Sequence, residues 1–214
     1  MFDISFYMKA YRLRRGLEQG AKITTNDLFD LLESFRDTKP VVYNIETTNA
    51  CNMKCEMCPR TTMMTRKVKT MDRATFLKIV DQIEPHSANL WGLWEEFIKD
   101  EYGIPKDAMS ENHFFLYIIP RVLQLHGYGD PLLDKHMPEY IKVLTQRKIP
   151  SYFSCNPANI EVEKMIEMFE NGLSYIKYSL ESVDDILHKK IRGEASNFTE
   201  SYKRILKLLE AKAK

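Results

Sequence analysis

The chain has 214 residues, and its 31 basic and 30 acidic side chains give a formal net charge of +1 at pH 7. This balance argues against the strongly basic surface of a nucleic-acid-binding protein. The content of 44% apolar residues is sufficient for a folded core. The longest strongly apolar run, residues 114–119, is far shorter than the roughly 20 residues of a membrane-spanning helix.

The predicted elements begin with two helices. The first is amphipathic, because apolar side chains recur at steps of three and four. Its apolar face consists of Phe2, Phe6, Ala10, Leu13 and Leu17. The second helix begins at residues 26–27 and is ended by Pro40. Residues 1–40 are therefore predicted to form an N-terminal helical extension.

From residue 41 onward, short β-branched or aromatic runs alternate with amphipathic helices. The predicted strands are residues 41–45, 121–126, 151–155 and 175–180. Predicted helices begin near Asp72 and Pro138 and after the cap Asn197. A further predicted helix carries Val162, Met165, Ile166 and Phe169 and stops at residues 171–172. Four strands alternating with helices predict an α/β fold with parallel strands.

One connection in this region is unusually long. About 35 residues separate the helix that follows Asp72 from the second strand, where a few would suffice. The sequence therefore predicts a helical insertion at about residues 86–118.

Polar segments follow each predicted strand. They are residues 51–58, 127–131, 154–157 and 179–184. In folds built from parallel strands, ligands bind at the carboxyl ends of the strands, where these loops converge. We therefore expect the four segments to form a single site.

Three of the four cysteines, Cys51, Cys55 and Cys58, lie within eight residues of one another, whereas Cys155 stands alone. Four cysteines are too few for a disulfide scaffold, so the cluster indicates a metal site in a reducing compartment. The absence of a secretory signal pattern agrees with a cytoplasmic location.

The spacing of the three thiolates favours an iron-sulfur cluster with one metal corner left for a substrate. Structural zinc is the alternative, although zinc usually takes four protein ligands. Cys155 is a candidate fourth ligand, but its place at a strand end favours a buried thiol.

Residues 49–60, Asn-Ala-Cys-Asn-Met-Lys-Cys-Glu-Met-Cys-Pro-Arg, resemble the cluster loop of the radical SAM superfamily. Further segments agree with the family in order and spacing: residues 125–133, 154–156, 179–182 and 191–198. The resemblance implies a partial (β/α) TIM-like barrel over residues 41–214, with about four of the usual six strands. The loop ending Met-Cys-Pro-Arg is similar to the loop ending found in the SPASM-type branch of the family.

The resemblance also implies cofactors. Cys51, Cys55 and Cys58 would hold a four-iron four-sulfur cluster, whose unique iron chelates the amino and carboxylate groups of S-adenosylmethionine. Reductive cleavage by one electron, from a donor such as flavodoxin or ferredoxin, would yield a 5'-deoxyadenosyl radical. This radical would abstract hydrogen from an unidentified peptide or carbohydrate-like substrate.

Nine further positions match family positions that contact S-adenosylmethionine. Met57 matches an apolar position on the adenine. The segment 128–130 matches a Gly-Gly-Glu element that contacts the amino group, although tyrosine replaces a glycine and aspartate is one methylene shorter than glutamate. The other matches hold the ribose hydroxyls or the carboxylate. The nine are Met57, Tyr128, Gly129, Asp130, Ser154, Asn156, Ser179, Glu181 and Arg192.

The chain ends after the fourth β-α unit, which would leave strand four with an unpaired edge. We expect a fragment of a longer protein, a second chain that completes the barrel, or a form that no longer turns over. A non-catalytic iron-sulfur or zinc module is the alternative to the enzyme.

The cysteine assignment predicts a contrast between two variants. Cys55→Ala removes one of three cluster ligands and is expected to abolish iron uptake during anaerobic reconstitution, whereas Cys155→Ala is expected to keep the iron content of the parent. Iron and sulfide analysis measures both. Equal loss in the two variants would show that the ligands are misassigned.

Overall fold

The computed structural model describes residues 1–108 and 111–212, without the side chain of Glu111. Residues 109–110 of the predicted insertion and residues 213–214 of the predicted core lie outside the described residues. The helices are α1 Ile4–Glu18, α2 Thr25–Ser34, α3 Pro59–Met63, α4 Arg73–Val80, α5 Ala88–Tyr102, α6 Glu111–His113 with a π-helical turn Phe114–Ile118, α7 Met137–Gln146, α8 Val162–Glu170, α9 Asp185–Arg192 and α10 Phe198–Lys212. The strands are β1 Leu123–Gln124, β2 Ser151–Cys155 and β3 Tyr175–Tyr178. Within the described ranges, no helix is long and apolar enough to cross a bilayer.

The chain divides into two compact units. The first comprises residues 1–43 and 82–122, and the second comprises residues 44–81 and the residues from 123 onward. The predicted division into an extension, a core and an insertion follows different boundaries and stays a prediction.

The first unit is helical and is built on α5. Its buried cluster includes Ile4 and Met8 of α1 together with Trp94 and Ile98 of α5. Tyr7 of α1 packs edge-on against Trp94, with ring centroids 5.7 Å apart. Aromatic packing of this kind stabilises a core beyond the area that it buries, so α1 is held to α5 mainly by its aromatic side chains.

The buried face of α1 differs from the predicted one. Ile4 and Met8 are buried, whereas Phe2, at one end of the predicted face, is 38% exposed. The physical reason is the aromatic surface of α5, which the tyrosine-bearing face of α1 contacts. Phe6 packs edge-on against Phe35 after α2 instead.

The second unit contains a three-stranded parallel sheet in the order β1-β2-β3. Leu123 pairs with Ser151, and Cys155 at the end of β2 pairs with Tyr178. Helix α7 connects β1 to β2 and α8 connects β2 to β3, which is the crossover that parallel pairing requires. The predicted α/β class is confirmed. Sequential parallel strands joined by helical crossovers are also the repeating arrangement of a TIM-like barrel.

The predicted first strand is reduced to a single parallel bridge between Asn44 and Gln124. The amide of Ile45 donates to the carbonyl of Gln124 at 2.9 Å. Upstream, the N-terminal amine donates to the carbonyl of Val42, and Val41 is half exposed. The structure therefore has a single bridge where the sequence predicts a strand over residues 41–45.

The C-terminal region contains a helix that the sequence analysis missed. Helix α9 is capped by Asp184, whose carboxylate accepts from the amide of Leu187 at 2.7 Å. Helix α10 starts as predicted, since the side chain of Asn197 accepts from the amide of Glu200 at 3.0 Å.

The apolar spacing of Phe198, Tyr202, Ile205 and Leu209 predicts a buried face for α10 that differs from the observed one. Ser201 and Leu208 are buried, whereas Tyr202 and Leu209 are exposed. Helix α10 packs against α8 and the turn at residues 157–159. The small side chain of Ser201 permits this close approach, which turns the larger side chains outward.

The packing of α5 predicts different costs for two truncations on the same helix. Ile98 is fully buried, so Ile98→Ala is expected to lower the free energy of unfolding by about 2–5 kcal/mol. Leu93 is 46% exposed, so Leu93→Ala is expected to cost about 1 kcal/mol or less. Urea unfolding followed by tryptophan fluorescence measures both, because the two tryptophans of the chain, Trp91 and Trp94, lie on α5. Similar costs would show that the face of α5 is misassigned.

Candidate functional site

The loops at the carboxyl ends of the strands enclose one cavity of about 430 Å³ in the second unit. This is the place where parallel β-α folds bind ligands. All twelve residues predicted for the site line it: Cys51, Cys55, Met57, Cys58, Tyr128, Gly129, Asp130, Ser154, Asn156, Ser179, Glu181 and Arg192. The structure thus brings together residues from five separate stretches of the chain.

The three clustered cysteines are free thiols on one wall of the cavity. Cys55 is buried, and Cys51 and Cys58 are half-buried. Burial raises the pKa of the Cys51 thiol. Three soft sulfur donors in one cavity suit an iron-sulfur cluster. In the described part of the chain, no three His, Cys, Asp or Glu side chains form a site for a single metal ion.

Gly129 lies against the backbone that leads into the cysteine loop. A Cβ atom at this position would be 2.0 Å from the carbonyl oxygen of Thr48 and 2.8 Å from that of Ala50. The neighbouring amide of Asp130 donates to the Ala50 carbonyl at 2.8 Å. Because two segments of the backbone meet here, only glycine fits at position 129 without displacing one of them.

Asp130 is a buried carboxylate that accepts three hydrogen bonds from protein groups. Its Oδ1 accepts from the amide of Leu132 at 3.0 Å, and its Oδ2 accepts from the amide of Asn156 at 3.1 Å and from Asn159 Nδ2 at 2.8 Å. Burial raises the pKa of this carboxyl group. A carboxylate has about four lone-pair sites, so these contacts leave about one for a further donor.

Asn159 extends this hydrogen-bond network to the cysteine loop, a role that the sequence analysis missed. Its side-chain amide pairs reciprocally with that of Asn52, at 2.8 and 2.9 Å. Asn52 lies between the first two cysteines, so the loop is linked through Asn159 to Asp130. In the sequence, each of these two loops contains an asparagine after a predicted strand. An asparagine in such a place indicates a turn, and does not reveal a contact between the two loops.

The hydroxyl groups on the β2 and β3 side of the cavity lie close together. Ser154 Oγ is 3.2 Å from Ser179 Oγ. Asn156 shares hydrogen bonds of 3.3 Å with Ser196 Oγ, which lies 2.8 Å from Nε2 of the buried His188. Asn156 is therefore oriented by buried side chains behind the cavity wall.

His126 is a second residue that the sequence analysis missed. It lines the cavity, and its Nδ1 accepts from the amide of Ser154 at 3.2 Å. Burial lowers the pKa of this imidazole, and the nearby charge of Lys177 lowers it further. A neutral ring is needed to accept at Nδ1, so the shift favours the form that holds Ser154 in place.

Two predicted residues present exposed surface to the cavity. Met57 is 56% exposed and offers its thioether. Tyr128 is also exposed, and its amide donates to Glu46 Oε1 at 2.6 Å. The backbone of Tyr128 is thus fixed by Glu46, while its ring remains accessible.

Glu181 and Arg192 form an ion pair in the cavity wall, and Arg192 Nη1 also donates to the sulfur of Cys55 at 3.6 Å. Cys155 lies nearby as a buried thiol whose pKa is raised well above its usual range by burial. The assignment of Cys155 as a buried thiol outside the ligand set stays a prediction.

The contacts of two glycines predict unequal effects of adding a methyl group. Gly129→Ala places Cβ against backbone and is expected to lower the free energy of unfolding by about 2–3 kcal/mol or more, with loss of iron uptake. In Gly127→Ala the new Cβ meets only the Glu46 side chain among its nearest contacts. Glu46 must shift and lose its hydrogen bond from the Tyr128 amide, so we expect a cost of about 0.5–1.5 kcal/mol. Urea unfolding by circular dichroism and iron analysis measure both. A larger effect at Gly127 would contradict the close approach at Gly129.

No curated protein matches the chain. Among solved structures, the chain is similar to methylornithine synthase (PylB), with a TM-score of 0.51, 12% identity, and coverage of 90% of this chain and 54% of that one. It is also similar to BtrN in complex with AdoMet and 2-DOIA, with a TM-score of 0.43, 15% identity, and coverage of 65% and 46%. SuiB of Streptococcus suis bound to S-adenosylmethionine gives a TM-score of 0.47, 15% identity, and coverage of 92% and 40%. The chain spans about half the length of these structures.

Residues 106–214 match the radical SAM superfamily. The matched range covers just over half of the chain and begins after the three cysteines. It contains β1, β2 and β3 with the polar segments that follow them. The chain belongs to the radical SAM superfamily, whose members use a four-iron four-sulfur cluster and S-adenosylmethionine.

Proposed function

We propose that this chain is the part of a radical SAM enzyme that binds a four-iron four-sulfur cluster through Cys51, Cys55 and Cys58 and cleaves S-adenosylmethionine. The observation that carries the proposal is the shared cavity, which is lined by the three thiols and by all nine residues predicted to contact the cofactor. A cavity of about 430 Å³ falls within the usual range for small-molecule sites.

The cluster and S-adenosylmethionine together would supply the electron transfer and the radical that attacks an unreactive C–H bond. The protein would supply binding, orientation and shielding from water. Three thiolates leave one iron of a four-iron cluster without a protein ligand, and the amino and carboxylate groups of S-adenosylmethionine would bind there.

The cavity residues have chemistry suited to the rest of the cofactor. Met57 offers an exposed thioether to the adenine, as polarizable sulfur packs well against aromatic rings. The hydroxyls of Ser154 and Ser179, 3.2 Å apart, suit the two hydroxyls of a ribose. The remaining acceptor site of Asp130 suits the amino group of the methionine moiety.

Several finer assignments stay predictions from the sequence. They are the SPASM-type branch, a peptide or carbohydrate-like substrate, an electron donor such as flavodoxin or ferredoxin, a missing C-terminal part or second chain that completes the barrel, and a cytoplasmic location. The exposed apolar side chains Tyr202, Leu206 and Leu209 of α10 are compatible with a covering element.

The test is anaerobic reconstitution of the chain with iron and sulfide, followed by dithionite and S-adenosylmethionine. We expect a brown protein that releases 5'-deoxyadenosine, measured by liquid chromatography. Cys55→Ala is the matched control and is expected to release none above background, because it cannot hold the cluster. Cys155→Ala is expected to behave as the parent.

Other outcomes separate the alternatives. A brown protein that binds S-adenosylmethionine without cleaving it would indicate an inactive fragment, and one that does not bind it would indicate an electron carrier. A colourless protein that takes up zinc in preference to iron would refute both iron-dependent functions.

A further inference from the structure

The C-terminal end of α9 is attached to the middle of the cysteine loop by backbone hydrogen bonds. The amide of Lys54 donates to the carbonyl of Arg192 at 3.3 Å, and the amide of Glu56 donates to the carbonyl of Ile191 at 2.9 Å. Gly193 follows with φ +90°, and a Cβ there would lie 3.1 Å from the amide nitrogen of Lys54. The end of α9 therefore fixes the position of the backbone on both sides of Cys55.

The guanidinium group of Arg192 lies between the sulfur of Cys55 and the carboxylate of Glu181. Nη1 donates to Cys55 Sγ at 3.6 Å, and Nη2 donates to Glu181 Oε1. The Arg192 side chain is 16% exposed, and Cys55 is buried. Because the group is largely removed from water, its charge acts on the sulfur with little screening.

We propose that Arg192 donates an N–H group to the thiolate of Cys55 in the cluster-bound protein and thereby raises the reduction potential of the cluster. This inference rests on the proposed function. Reduction of the cluster adds one negative charge to it. Hydrogen bonds to the ligand sulfurs stabilise that charge, and they are among the factors that set the reduction potential. A cationic donor stabilises the extra negative charge more than a neutral donor does.

Glu181 has a different part in this arrangement. Its carboxylate fixes one edge of the planar guanidinium, so the other edge is aimed at Cys55. Arg192 acts on the cluster through Cys55 and is therefore a positioning residue. This role differs from a contact with the carboxylate of S-adenosylmethionine, because it operates when that cofactor is absent.

The test is a redox titration of the reconstituted full chain without S-adenosylmethionine, with the reduced cluster followed by electron paramagnetic resonance. For Arg192→Met we expect a shift of the midpoint potential to a more negative value. A tenfold weaker preference for the reduced cluster corresponds to about 59 mV for one electron. Iron and sulfide analysis on the same samples checks that the cluster is present.

Lys190→Met is the matched control, since it removes the same charge from the same helix at an exposed position. Its potential is expected to equal that of the parent. Arg192→Lys keeps the charge without the planar fork, and its potential is expected to lie between those of the parent and Arg192→Met.

An unchanged potential in iron-loaded Arg192→Met would overturn the proposal, as would an equal shift in Lys190→Met. If Arg192→Met takes up no cluster, the same titration is made on Arg192→Gln, which keeps a polar side chain and loses the charge. An unchanged midpoint potential in that variant would likewise overturn the proposal. A parent protein that releases no 5'-deoxyadenosine but whose potential depends on Arg192 would refute the proposed function and leave this inference standing.

Discussion

A buried carboxylate, that of Asp130, joins the segments that form the cavity. It binds the amides of Leu132 and Asn156 and the side chain of Asn159, which in turn pairs with Asn52 in the cysteine loop. A buried carboxylate is tolerated only when such donors surround it. The glycine turn after β1, the loop after β2 and the cysteine loop are therefore held in one arrangement, and the shape of the cavity depends on this group.

Much of the site could be predicted from the sequence because local signals coincide with the order of the strands. Strand β2 was predicted with its observed bounds, and Asn197 was identified as the cap of α10. Parallel strands bring the loops at their carboxyl ends to one edge of the sheet. The loops containing Cys51, Asp130, Ser154 and Ser179 could thus be placed at one cavity without any knowledge of their contacts.

The remaining features depend on contacts between residues far apart in the chain, which periodicity does not reveal. The buried face of α1 is determined by the aromatic side chains of α5, so Ile4 and Met8 turn inward in place of the predicted stripe. In the predicted first strand, the Val42 carbonyl accepts from the N-terminal amine and Asn44 forms a single bridge with Gln124. The contact between Arg192 and Cys55 joins residues 137 positions apart, and nothing in the sequence near either residue indicates it.

That separation has a consequence for the order of events during synthesis. At about 5–20 residues per second, a ribosome needs roughly 7 to 27 s to extend the chain by the 137 positions from Cys55 to Arg192. Cys55 is therefore synthesised that long before the helix end that fixes its loop. Until α9 has been added to the chain, the cysteine loop lacks the backbone hydrogen bonds that the amides of Lys54 and Glu56 donate to Arg192 and Ile191.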